Sequence, residues 1–181
     1  MIVGVVGKSG SGKTTISTYL IQKGYYHLDT DTLTEPTYNK FKNEIVKLVG
    51  NSILVNGNIS KSKLHRILVK SETLRLEVEK LLVPDIEKQV RGILKTNKKV
   101  TIDSAILHKL KLEDTLELIL YIDTPWYLRV YRLLKRDNYN LRKILVRLWI
   151  QRDIKIDIYN KAKLVCNVDK INTLYQINKL L

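Results

Sequence analysis

Gly7-Lys8-Ser9-Gly10-Ser11-Gly12-Lys13-Thr14 decides the fold of this chain. The stretch satisfies G-x-x-x-x-G-K-[ST] at every fixed position, and each position has a physical task. The glycines let the backbone wrap tightly, so that successive N–H groups converge on phosphate oxygens. A helix opening at Lys13 adds the positive end of its dipole. The Lys13 ammonium suits the β- and γ-phosphates, and the Thr14 hydroxyl suits Mg²⁺. At the average Gly usage of about 7% in proteins, chance produces this pattern roughly once in 10⁴ to 10⁵ positions. Gly7, Ser9, Gly10, Ser11, Gly12, Lys13, Thr14 and Thr15 are therefore expected to bind ATP, with Thr14 on the metal.

The flanks agree with the loop. Ile2–Val6 is a continuous apolar, largely β-branched run, as in a strand buried on both faces. Residues 13–23 predict a helix with Ile16, Leu20 and Ile21 on one stripe and Gly24 as its stop. Residues 25–28 predict a second strand ending at Asp29-Thr30-Asp31. From 33 to 98 the pattern is helical and more polar, with a loop at 51–58 around Gly57 and a helix over 64–82. Pro84 fits the first turn of a further helix that turns Ile86, Val90, Ile93 and Leu94 inward. Strands are predicted at 100–102, 118–122 and 164–166, with a short helix after the last. Strands alternating with helices indicate an α/β sandwich on a parallel sheet, in one domain.

Composition narrows the class. The 181 residues are 44% hydrophobic, enough for a sizeable core. Cys166 is the single cysteine, which excludes an internal disulfide and a cysteine metal cluster. His27, His65 and His108 lack metal-ligand spacing. No apolar run approaches the ~20 residues of a spanning helix, and the apolar start is too short for a signal peptide. A cytoplasmic protein without a membrane partner is expected. The net charge is +14, and residues 126–163 hold eleven Lys or Arg against three Asp. Such a balance suits a polyanionic small molecule, nucleic acid or an anionic membrane surface.

Ligands of open α/β sheets sit beyond the carboxyl ends of the strands. Asp103 follows the strand at 100–102 and suits Mg²⁺, directly or through water. Asp31 suits a base for an acceptor hydroxyl, while Asp29 suits backbone amides or a helix cap. Thr124 is expected to cap a helix with Pro125 at its first position, making Asp123 structural. On that helix Arg129, Arg132 and Arg136 share a face, and a second helix is expected over 141–152 with Arg147 and Gln151 as neighbours. Guanidinium forks match phosphate oxygens, so a basic lid over ATP is expected at about 126–160. Trp126, Tyr127, Tyr131 and Trp149 interleave with the basic residues, which keeps nucleotide-gated nucleic-acid binding as an alternative.

These pieces, in their order, resemble the dephospho-CoA kinase family over nearly the whole chain. The family's Asp-Ala-Asp stands here as Asp29-Thr30-Asp31, and its Gly-x-Ile stretch as Gly57-Asn58-Ile59. Its Arg-x-x-x-Arg-Asp is Arg132 to Asp137, and its Arg-x-x-x-Gln is Arg147 to Gln151. Its late Ala-Asp-x-Val-Ile-x-Asn is resembled, one residue shorter, by Ala162-Lys163-Leu164-Val165-Cys166-Asn167. The resemblance implies transfer of the ATP γ-phosphate to the ribose 3′-hydroxyl of dephospho-CoA. It implies Lys13, Asp31 and Arg136 as catalytic residues, and Arg132, Arg136 and Asn167 on ATP. It further implies a five-stranded parallel core, an acceptor-binding region at about 33–98 and a lid, with no specific nucleic-acid partner and a monomeric chain expected. The chain departs from the family at Val83-Pro84, where the family has His-Pro, and at Lys61, where it has Arg. It departs again at His108-Lys109 and Ala162-Lys163. Most departures fall on the acceptor side, so another P-loop kinase of a nucleotide or small metabolite is the alternative.

Overall fold

Ile2–Val6 forms strand β1, and all of it but Ile2 is buried, as a strand covered on both faces requires. The computed structural model describes residues 1–104, 107–136, 144, 148, 155–159 and 162–181. The chain divides into two compact units, Met1–Leu28 with Asn97–Leu181, and Asp29–Thr96.

The first unit is built on a five-stranded parallel sheet in the order β2-β5-β1-β6-β7. Its strands besides β1 are β2 (Tyr26–Asp29), β5 (Val100–Asp103), β6 (Leu118–Asp123) and β7 (Ala162–Cys166). β1 pairs with β5 from Ile2↔Val100 to Val5↔Asp103, and with β6 from Val3↔Leu118 to Val6↔Tyr121. β6 pairs with β7 from Ile119↔Ala162 to Asp123↔Cys166. This register sets Asp103 beside Val5, two residues before the loop that leaves β1. Helices α1 (Lys13–Gln22), α6 (Trp126–Arg136) and α7 (Lys170–Leu180) accompany the sheet. Ile16 and Leu20 of α1 and Ile177 of α7 close a core with Val3, Val5, Leu120, Ile122 and Val165.

The second unit is mostly helical. It comprises α2 (Asp31–Lys40), α3 (Lys42–Val49), α4 (Lys61–Leu68) and α5 (Glu72–Thr96). Two expectations are corrected here. Residues 51–58 are not a plain loop: a 3₁₀ turn at Asn51–Ile53 leads into a hairpin of β3 (Leu54–Val55) and β4 (Asn58–Ile59). Its two-residue turn is Asn56-Gly57, with φ of 49° and 79°. Asn and Gly tolerate this left-handed conformation, and the resulting turn matches strand twist. The second correction is at Pro84, which lies inside α5 and does not open a new helix. Proline removes one helical hydrogen bond at a cost of about 3 kcal/mol. Burial of the i, i+4 stripe Val78, Leu82, Ile86 and Val90 offsets it.

Polar contacts join the helices of this unit. Gln89 Nε2 donates to Thr37 Oγ1 at 3.0 Å and to Asp85 Oδ2 at 2.7 Å, and Lys40 pairs with Asp85. Among the described residues no helix is long and apolar enough to cross a membrane. Asp137, Arg147, Trp149 and Gln151 lie outside the described residues. Of the second basic helix, Ile144 and Leu148 are described, both helical.

Candidate active site

The loop from Gly7 to Gly12 owes its shape to donors that take its carbonyls one by one. Lys13 Nζ donates to Gly7 O at 2.8 Å, tying the end of the loop back to its start. Ser11 N donates to Lys8 O at 3.1 Å. Arg129 Nε donates to Ser9 O at 3.0 Å, and Arg132 donates to Gly10 O at 3.3 Å. Ser11 O accepts from Thr124 Oγ1 at 2.9 Å and from Asn167 Nδ2. Gly12 O accepts the amides of Thr15 and Ile16, which starts α1. Six consecutive carbonyls are thus bound by the protein itself. In each trans peptide the N–H points opposite to the preceding C=O, so fixing the carbonyls also fixes the amides that meet phosphate.

Gly10 shows why the loop needs glycine. Its φ is +79°, and a Cβ there would lie 2.7 Å from Arg129 O. The backbone of α6 therefore lies directly against the loop. Gly12, also left-handed, caps α1, whose start has no side-chain cap and no acidic residue in its first turn. The positive end of the α1 dipole, without a side-chain cap, suits an anion.

α6 and the segment after β7 brace this frame. Arg129 is 9% exposed, and burial pulls its pKa down while Tyr121 and Asp123 push it up. Arg132 is half-buried and also reaches Asn167 O at 3.5 Å. Asn167 N donates to Asp123 O at 2.8 Å, and Thr173 Oγ1 lies 3.2 Å from Asn167 Oδ1. The expected cap at Thr124 is corrected: its hydroxyl donates to Ser11 O and Asn167 O and does not accept from α6 amides. A Thr-Pro pair before a helix looks the same in either role, so no local signal separates them. Arg129 and Thr124 as loop braces are what sequence reasoning missed.

The other expected residues fall as follows. Thr14 and Thr15 are exposed in the first turn of α1. Asp103 is the half-buried last residue of β5. Arg136 is exposed at the end of α6. Asp31 belongs to the second unit, where it opens α2, exposed, with its amide held by Asp29 Oδ1 at 2.9 Å. Asp29 is thus the residue that bonds a backbone amide. In the same unit burial, then the charges of Asp31 and Glu79, push the Tyr38 phenol above its ordinary pKa.

The donor set fits a nucleotide polyphosphate with Mg²⁺. Among the described residues no three His, Cys, Asp or Glu gather as a metal cage. Mg²⁺ on a nucleotide needs only one or two protein oxygens beside phosphate and water, and Thr14 and Asp103 are of that kind.

Comparison with known proteins gives the same direction. The family model described as dephospho-CoA kinase matches residues 1–170. A dephospho-CoA kinase of Treponema denticola is 28% identical over 160 residues, covering 81% of this chain and 72% of its own. One from Bacillus cereus is 23% identical over 176 residues, covering 92% and 88%. Among solved structures, a Thermus thermophilus protein aligns with a TM-score of 0.82 at 21% identity, over 99% of this chain and 95% of its own. A dephospho-CoA kinase from Campylobacter jejuni aligns with a TM-score of 0.66 at 18% identity, over 99% and 96%. These two show the fold.

Proposed function

The chain belongs to the dephospho-CoA kinase family, and we propose that it moves the ATP γ-phosphate to the ribose 3′-hydroxyl of dephospho-CoA. The bond from γ-phosphorus to the ADP oxygen breaks, the bond to the 3′-oxygen forms, and the hydroxyl proton passes to Asp31. Lys13 neutralises charge on the phosphates, which its place at the loop supports. Arg136 and Arg132 meet the phosphoryl oxygens, and Asn167 borders the adenine. Thr14 and Asp103 hold Mg²⁺, which when bound shields the phosphate charge. Asp29 is engaged with the Asp31 amide, so Asp31 is the better base of the pair. The unit Asp29–Thr96 carries the acceptor, the segment at about 126–160 closes over the donor, and the chain acts as a cytoplasmic monomer within a single P-loop domain.

One observation carries the reading: a phosphate loop with every carbonyl taken and an uncapped helix start, in a chain of this family. The test is incubation with Mg-ATP and dephospho-CoA, following CoA by its added phosphate mass. CoA should appear in step with ADP. Lys13→Ala should lower turnover at least about 10²-fold, the scale of losing one transition-state charge contact. ATP bound without CoA formed would redirect the acceptor to another hydroxyl compound.

A further inference from the structure

Arg129 stands out because it is buried without an ion-pair partner among the described residues. It is the only charged side chain among the buried described residues. None of the ion pairs of the described residues includes it. Of its five N–H donors, only Nε is engaged among the described residues, on Ser9 O at 3.0 Å. Tyr121 and Asp123 act on it through space without bonding it. A buried cation with no anion bonded to it is costly, and a side chain needed only to hold one carbonyl requires no charge.

The place of this cation suggests its counter-ion. Its own backbone carbonyl lies against Gly10, and its side chain holds the carbonyl of Ser9, so residue 129 touches the middle of the loop twice. Arg132 beside it holds Gly10 O and is only half-buried. A low-dielectric position strengthens a charge's action on an anion nearby. We infer that Arg129 is a positioning residue for the donor nucleotide. It fixes the Ser9 peptide and supplies buried positive charge at the loop, and the anion it answers is the polyphosphate of a nucleoside di- or triphosphate. This inference rests on the loop as the ATP site and is independent of the acceptor.

The test uses ADP binding by calorimetry, which needs no acceptor and so stands even if dephospho-CoA is not the substrate. Arg129→Gln keeps a donor for Ser9 O and drops the charge, and Arg129→Lys keeps the charge. ADP should bind about tenfold more weakly to Arg129→Gln, the scale of one charge-assisted contact, and Arg129→Lys should recover much of the loss. The slope of log Kd against log salt should also be shallower in Arg129→Gln. ADP affinity within twofold of wild type in Arg129→Gln would overturn the inference, as would Arg129→Lys binding as weakly as Arg129→Gln. Should Arg129→Gln not fold, Arg129→Met keeps the apolar stem without the charge and is judged by the same outcomes. A purely structural arginine would instead lower the melting temperature of the free protein and leave ADP affinity unchanged.

Discussion

The two units hold themselves together in different ways. In the sheet unit the decisive bonds end on main-chain carbonyls: Lys13, Arg129, Arg132, Thr124 and Asn167 all donate to the loop backbone. In the unit Asp29–Thr96 the long-range polar contacts run between side chains, as in Lys40–Asp85 and Gln89–Thr37. A frame built on backbone acceptors keeps one end of each bond whatever the sequence, and here depends on the side chains of its five donors. A frame of side-chain pairs depends on each partner, and the departures from the family's pattern at Lys61 and Val83 fall in this second unit.

The comparison can be tested by perturbing one unit and reading the other. Asp31→Asn has the largest expected effect of these changes. It should lower turnover about 10²-fold or more, the scale of a lost general base, while ADP affinity is unchanged. An equal loss of ADP affinity would show that the donor site depends on the helical unit. Gly10→Ala should do the reverse. Its φ of +79° and the Arg129 carbonyl at 2.7 Å leave no room for a Cβ. Stability should fall by about 2 kcal/mol in urea, with ADP binding weakened about tenfold. Unchanged binding would mean that the loop adapts.

Two smaller changes sharpen the account of the helical unit. Pro84→Ala restores a missing helical hydrogen bond inside α5 and should raise stability by about 1 kcal/mol without altering ADP binding. A loss of stability would show that the proline ring packs in place of the bond. Asp85→Asn should cost about 0.5 kcal/mol at pH 7, since Lys40 is exposed. The Lys40 hydrogen bond is the main cause holding the Asp85 carboxyl below its ordinary pKa, which burial opposes. A lowered folded pKa stabilises at pH values above the unfolded one, and that gain vanishes as pH falls through the folded value. The gap between wild type and Asp85→Asn should therefore close below about pH 4. A gap that persists there would point to packing.

Much of the fold was legible because its signals are local. A buried strand, a glycine loop and a lysine at a helix start follow within thirteen residues of one another. The hairpin at Leu54–Ile59 was missed although Asn56-Gly57 is its signature, because strands of two residues are too short for alternation to show. Pro84 misled because proline's local cost is fixed, while the burial that offsets it depends on the whole of α5.

By itself the sequence determined the phosphate loop and the alternation of strand and helix, and it offered the carboxylates and arginines as candidates. Each follows from residue types at short spacing, where backbone geometry leaves few choices. The tertiary structure decided which side chains hold the loop. Arg129 reaches Ser9 across 120 positions, Thr124 reaches Ser11 across 113 and Asn167 reaches Ser11 across 156. Contacts of that range come from the register of the parallel sheet, which brings the ends of β1 and β6 to one edge. Pairing between distant strands has no trace in the spacing of neighbouring residues.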